Sequence, residues 1–127
     1  MNRPRLRRHY ILKGHEPVLC EDAVDWAMWA FGPEQQRHVA DEEIEGIRIS
    51  TVFLGMDHNF RGEGPPVLFE TMTFADGGCA VMARYRTWDE AEAGHAQVRQ
   101  LLREELQQAG DRAAGVLSAL AQRVRGN

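Results

Sequence analysis

The sequence predicts an α+β fold: an antiparallel sheet of about four to six strands with helices packed on one face, plus a C-terminal helix. Three observations predict it. Between Ile47 and Tyr85, apolar and polar residues alternate in strand-length runs, the pattern of half-buried antiparallel strands. Asp76-Gly77 separates two of these runs, and a two-residue hairpin turn calls for the positive φ that such a pair tolerates. From Thr87 the period becomes helical. Thr87-Trp88-Asp89-Glu90 opens that segment as a capping box, in which hydroxyl and carboxylate each satisfy an orphan backbone donor.

Taken in order, Tyr10 to Lys13 and Val18 to Cys20 read as short extended pieces around the turn Gly14-His15-Glu16-Pro17. Glu21, Asp22 and Asp25 then put negative charge on the first turns of a helix, where the macrodipole favours it, and Gly32-Pro33 stops it. Val24, Trp26, Ala27, Met28, Ala30 and Phe31 leave that helix little polar surface, so it is expected to be largely buried. Arg37 to Ile44 is a weaker strand ended by Glu45-Gly46.

The Asp-Gly turn sets a register. Pairing Ala75 with Gly78 places Glu70 opposite Ala83, Met72 opposite Val81, Leu68 opposite Tyr85 and Phe74 opposite Cys79. If the loop Gly55 to Pro66 brings Leu54 opposite Val67, Thr51 falls opposite Glu70. One face then reads Ile47, Ile49, Thr51, Phe53, Leu68, Glu70, Met72, Phe74, Cys79, Val81, Ala83 and Tyr85, apolar except at its centre. The other carries Arg48, Ser50, Thr71, Thr73, Arg84 and Arg86, with Phe69 and Met82 as exceptions. Trp88, Ala91, His95, Val98, Leu102 and Leu106 form the helical stripe that should cover the apolar face. Asp111 would cap a last helix whose stripe, Ala113, Leu117, Leu120, Ala121 and Val124, either folds back or meets another subunit. The subunit contact is favoured, and a homo-oligomer is expected.

A chain of 127 residues, 43% hydrophobic, fits a single domain over 1–127, with a basic tail at 1–8, a core at 9–108 and an accessory helix at 111–125. A net charge of −4 argues against a protein whose main task is holding nucleic acid, although Arg3, Arg5, Arg7 and Arg8 crowd the start. No run of apolar residues is long enough to span a bilayer, and no signal-like segment opens the chain, so a cytoplasmic protein without membrane contact is expected. Cys20 and Cys79, without CxxC spacing, read as reduced thiols.

Glu70, Thr51, Tyr85 and His95 form the candidate cluster. A carboxylate on an apolar face must be paired, protonated or wet. With an imidazole beside it, the group is either a self-satisfying core network or a ligand or catalytic site. Glu92 and His95 have the Glu-x-x-His spacing of carboxylate-bridged metal bundles, but those need the motif twice. Even with Asp57 and His58 added, no metal and no cofactor is expected. The twelve-residue loop from Gly55 to Pro66 exceeds the usual hairpin connection. Its Asp57, His58, Asn59 and Arg61, with Tyr85, are the candidate contacts for a ligand or partner. Its glycines lack the Lys-Ser/Thr and following helix of a phosphate loop. The loop is either a turn held by its own Asp and Asn hydrogen bonds or a recognition loop.

At ISTVFLGMDHNF, GPPVLFETMTF and RYRTWDEAEAGH, and upstream at YILKGHEPV and DWAMWAF, the chain resembles a widespread group of small proteins encoded in bacteriophage and prophage genomes. The resemblance covers about Tyr10 to His95. It implies a phage accessory product in the cytoplasm of an infected or lysogenic bacterium, and it names no active-site residue. The expected function is that of a non-catalytic binding protein that inhibits or sequesters a host component, either a defence protein or its small-molecule signal. The competing expectation is a small hydrolase or lyase using Glu70 and His95 under the Asp57-His58 loop.

Overall fold

Alternation in the central segment produces a four-stranded antiparallel sheet, seen in a computed structural model that describes residues 8–109 and 113–126. Its strands are β3 (His38–Ile44), β4 (Ile47–Phe53), β5 (Phe69–Ala75) and β6 (Gly78–Tyr85), preceded by the hairpin of β1 (Tyr10–Lys13) and β2 (Glu16–Leu19) and by helix α1 (Ala23–Ala30). Helices α2 (Trp88–Ala109) and α3 (Ala113–Gly126) follow. The fold is α+β, as predicted. The strands divide into two sheets, order β3-β4-β5-β6 and β1-β2. Arg3, Arg5, Arg7 and the proposed cap Asp111 lie outside the described residues.

The sheet turns follow the expected chemistry. Glu45 and Gly46 both take positive φ, 49° and 83°, between β3 and β4, and the Asp76-Gly77 turn pairs Ala75 with Gly78. Near that turn the expected register holds: Met72 faces Val81 and Phe74 faces Cys79. Beyond it, a β-bulge inserts Met82 as an extra residue, so Thr71 faces Ala83, Glu70 faces Arg84 and Phe69 faces Tyr85. The β4–β5 register is also one residue from expectation. Leu54 N donates to Leu68 O at 2.7 Å, and Thr51 therefore faces Thr71 while Val52 faces Glu70. A slip of one residue moves every side chain of a strand to the opposite face. Phe69, Thr71 and Thr73 thus look toward the helices, and Glu70, Met72 and Phe74 look away.

Helix α2 crosses all four strands, and α3 packs on α2 and β6. Two apolar clusters lie between sheet and helices. Ile47, Ile49, Met82, Val98, Leu102, Val116 and Leu120 form one, and Phe53, Leu68, Phe69 and Ala91 belong to the other, with Leu12. The C-terminal stripe therefore folds back rather than facing outward: Val116, Leu120 and Ala121 are buried, and Leu117 and Val124 pack beside them. Arg123 fixes this return with bonds of 2.8 Å to Glu105 and 2.7 Å to Glu104. The stripe gives no reason to invoke a second subunit.

Helix α1 departs from expectation in the other direction. Asp22 caps it, accepting from Val24 N and Asp25 N at 2.9 and 3.0 Å. Trp29 lies edge-on to Phe53, and Trp26 Nε1 donates to both Tyr10 O (3.1 Å) and Gly55 O (3.0 Å). These contacts hold one side only. Val24, Met28 and Phe31 are 67, 74 and 86% exposed. A helix this short, anchored by two indoles, cannot bury its other side, so the expectation of a largely buried helix is wrong.

Candidate functional site

His95 is carried inward by the α2 stripe and is 2% exposed, as its position in the periodicity requires. Its carboxylate partner is not Glu70. His95 Nε2 lies 3.0 Å from Glu42 Oε2, and Arg99 Nη1, one turn along α2, donates to the same oxygen at 3.2 Å. On its other side His95 Nδ1 is 2.7 Å from Thr51 Oγ1. Thr51 Oγ1 is 2.6 Å from Thr71 Oγ1, which is 3.0 Å from the Tyr85 hydroxyl. One residue from each strand of the larger sheet, together with two from α2, makes an unbroken chain: Arg99, Glu42, His95, Thr51, Thr71, Tyr85.

The electrostatics follow from position. Burial pulls the Glu42 carboxyl upward, but the bonds from His95 and Arg99 outweigh it and hold Glu42 below its ordinary value. Burial raises Tyr85 above the usual phenol range, against the smaller opposing influence of the Thr71 bond. Glu42 is therefore ionised and Tyr85 protonated near neutrality. Glycine at position 94 is part of the construction, since a Cβ there would overlap the Tyr85 ring. Without a side chain at 94 the hydroxyl end of the ring lies close against α2, within reach of Thr71.

Acid, imidazole and hydroxyl occur here in the order used to activate a nucleophile. Access is lacking: Thr51 and Thr71 are 0% exposed, and both hydroxyls are already hydrogen-bonded. The hollows beside the β1–β2 turn, beside the Asp76-Gly77 turn and beside Ile44 are lined by no member of the chain. The first of these, about 460 Å³, lies where the β1–β2 turn meets the start of α2, and there His15 stacks on Trp88 with ring centres 3.7 Å apart.

The expected cluster is thus reassembled. Thr51, Tyr85 and His95 are brought together as predicted, with Thr71 linking them. Glu70 sits on the opposite sheet face, paired with Arg84 at 2.9 Å, because the bulge at Met82 and the one-residue slip of β5 place those two side by side. The requirement that Glu70 be paired is met; its pairing with His95 is not. Sequence reading missed Glu42, Arg99 and Thr71. Glu42 carried the same signal that singled out Glu70, a carboxylate between Ala40 and Ile44 on alternating positions. Arg99 stood four residues after His95 on the same helix side.

The loop from Gly55 to Pro66 is organised by its own acid and amide. Asp57 Oδ1 accepts from Asn59 N (2.8 Å) and Val67 N (3.0 Å). Asn59 Nδ2 donates to Glu63 O (2.6 Å) and Pro65 O (3.0 Å), while its Oδ1 accepts from Arg61 N. Asp57 and Asn59 are buried and act inward. His58 Nδ1 donates to Met56 O at 2.8 Å and is half-buried, and Arg61 is exposed. The loop does not join His95: Asp57-His58 pairs with Arg8 and Val67 through backbone bonds. Among the described residues no group of three or more His, Cys, Asp or Glu could hold a metal ion, and Cys20 and Cys79 are free thiols. No helix of the described chain is long and apolar enough to cross a membrane.

Compared with protein-family models, with curated proteins and with solved structures, the chain matches none of them.

Proposed function

We propose that this chain is a non-catalytic binding protein, a phage or prophage product that acts in the bacterial cytoplasm by occupying a host defence protein. The observation that supports the reading is a contrast in what is left over. His95, Thr51 and Thr71 are buried, and the groups able to do chemistry are bonded to one another, whereas α1 presents Val24, Met28 and Phe31 at i, i+4 and i+7 with nothing among the described residues packed over them. Leu19, at the end of β2, is also exposed. Apolar residues aligned on one helix side are the usual anchors for a partner surface.

A convex helix face fits a protein better than a small-molecule signal, which needs a concave pocket. The charge around the stripe narrows the partner further. Glu21, Asp22 and Asp25 are exposed beside it, and no base stands in the last turn of α1. The complementary surface is an apolar patch ringed by Lys or Arg. The hydrolase or lyase alternative loses its pair, since Glu70 and His95 lie on opposite faces of the sheet.

The test is plating efficiency of phage on a panel of defence-bearing bacteria expressing the protein. Wild type is expected to restore plating on the strain whose effector it occupies, and Met28→Glu/Phe31→Glu to lose that effect at unchanged melting temperature. If the double variant restores plating as well as wild type, or wild type restores it on no strain, the reading fails.

A further inference from the structure

The six-membered chain under α2 has a direction, and donor counting supplies it. Glu42, ionised, can only accept, so the 3.0 Å contact requires a proton on His95 Nε2. A neutral imidazole with Nε2–H has a bare Nδ1, which must accept from Thr51 Oγ1 at 2.7 Å. Thr51 has one proton and has now used it, so the 2.6 Å bond is donated by Thr71. Thr71 is committed in turn, and the 3.0 Å bond is donated by Tyr85. Every arrow runs from Tyr85 to Glu42. Each hydroxyl contributes one donor, and none is left without an acceptor.

With a second proton on His95, the arrangement that leaves neither buried threonine proton without an acceptor is the opposite one. Nδ1–H then donates to Thr51, Thr51 to Thr71 and Thr71 to Tyr85, and the Tyr85 proton is released to point out of the chain. We infer that this row of hydroxyls is a proton-polarity switch, in which the charge state of His95 is transmitted across β4 and β5 to the hydrogen-bonding role of Tyr85 on β6. The charged and titratable groups set around His95 are Glu42 and Asp41 on β3, Arg99 on α2 itself, and Tyr85 on β6; β4 and β5 offer only Thr51 and Thr71. The device is independent of the binding face on α1, and in its neutral form it holds Tyr85 as an inward donor.

Nuclear magnetic resonance of protein labelled at histidine ring nitrogens and tyrosine Cζ tests this directly. In its neutral form His95 should show the Nε2–H tautomer with an unprotonated Nδ1. As the pH is lowered, Tyr85 Cζ should shift with the same midpoint as the His95 ring nitrogens. Thr51→Val should abolish the Tyr85 response while leaving the neutral tautomer unchanged, and Thr71→Val offers the same break one link further on if the first variant does not fold. An Nδ1–H tautomer in the neutral wild-type protein would overturn the inference. So would a Tyr85 signal that ignores His95, or one that still follows it after the link is cut.

Discussion

Helices α2 and α1 solve opposite problems. Helix α2 carries a charged-capable imidazole into the interior and leaves no polar atom of that residue unbonded; α1 carries apolar side chains outward and leaves them uncovered. Each looks unfavourable alone. The first is compensated inside the chain, by Glu42, Arg99 and Thr51. The second has no compensation among the described residues, and it is this asymmetry on which the proposed partner at α1 rests.

The largest effect is expected from removing the imidazole. His95→Ala leaves a cavity, a Thr51 that has lost one of its two hydrogen bonds and a Glu42 held only by Arg99, and should cost about 3 kcal/mol in chemical denaturation. A folded variant with undiminished stability would mean that the chain contributes nothing.

Gly94→Ala is next. In an exposed helix interior this exchange favours the folded state by about 1 kcal/mol, but here the new methyl overlaps the Tyr85 ring. A loss of about 1 to 3 kcal/mol is expected. A gain in melting temperature would show that Tyr85 is free to move aside.

Two threonines on one strand give a finer test. Thr71 and Thr73 are both fully buried on the helix side of β5, yet Thr71 is bonded at both ends of its hydroxyl, whereas Thr73 Oγ1 finds no partner among the described residues. Thr71→Val should destabilise by about 1 to 3 kcal/mol and Thr73→Val should stabilise by about 1 kcal/mol. Equal signs in thermal melts would remove the distinction.

Acid sensitivity sharpens it again. Glu42 has its folded pKa below the unfolded value, so its stabilising contribution is complete above the unfolded carboxylate range, roughly pH 4 to 5, and is lost as the pH falls through the lower folded value. Asp41, hydrogen-bonded by Arg48, follows the same sign. Glu42→Gln should flatten the acid limb of stability against pH, and an unaltered limb would place the linkage elsewhere. The smallest effect belongs to α1: Met28→Ser, at a side chain already in water, should stay within about 0.5 kcal/mol of wild type.

Much of this was legible in the chain. Periodicity placed α2 and the inward His95, and the Thr-x-x-Glu pattern placed its capping threonine: Glu90 N donates to Thr87 Oγ1 at 3.1 Å. The Asp-Gly turn fixed the register for as far as the strands stayed regular. What could not be read was the extra residue at Met82, because both alternating sets of β5, Phe69-Thr71-Thr73 and Glu70-Met72-Phe74, suit a half-buried strand. The choice between them was made by the closure of the loop between Leu54 and Leu68, a long-range fact. That single residue of slip exchanged Glu70 for Glu42. The burial of α1 was misjudged for a different reason: composition says how apolar a helix is, but not whether neighbouring elements are large enough to cover it.

The forked bond of Trp26 has a consequence for how the molecule breathes. One indole N–H holds Tyr10 O and Gly55 O together, while Tyr10 N donates to Gly55 O at 2.8 Å. The hairpin, α1 and the root of the long loop are therefore riveted at one point. Their amides should exchange with deuterated water as one cooperative block, distinct from the slab of four strands, so that a partner seated on α1 as proposed would also damp the opening of everything fastened to that indole.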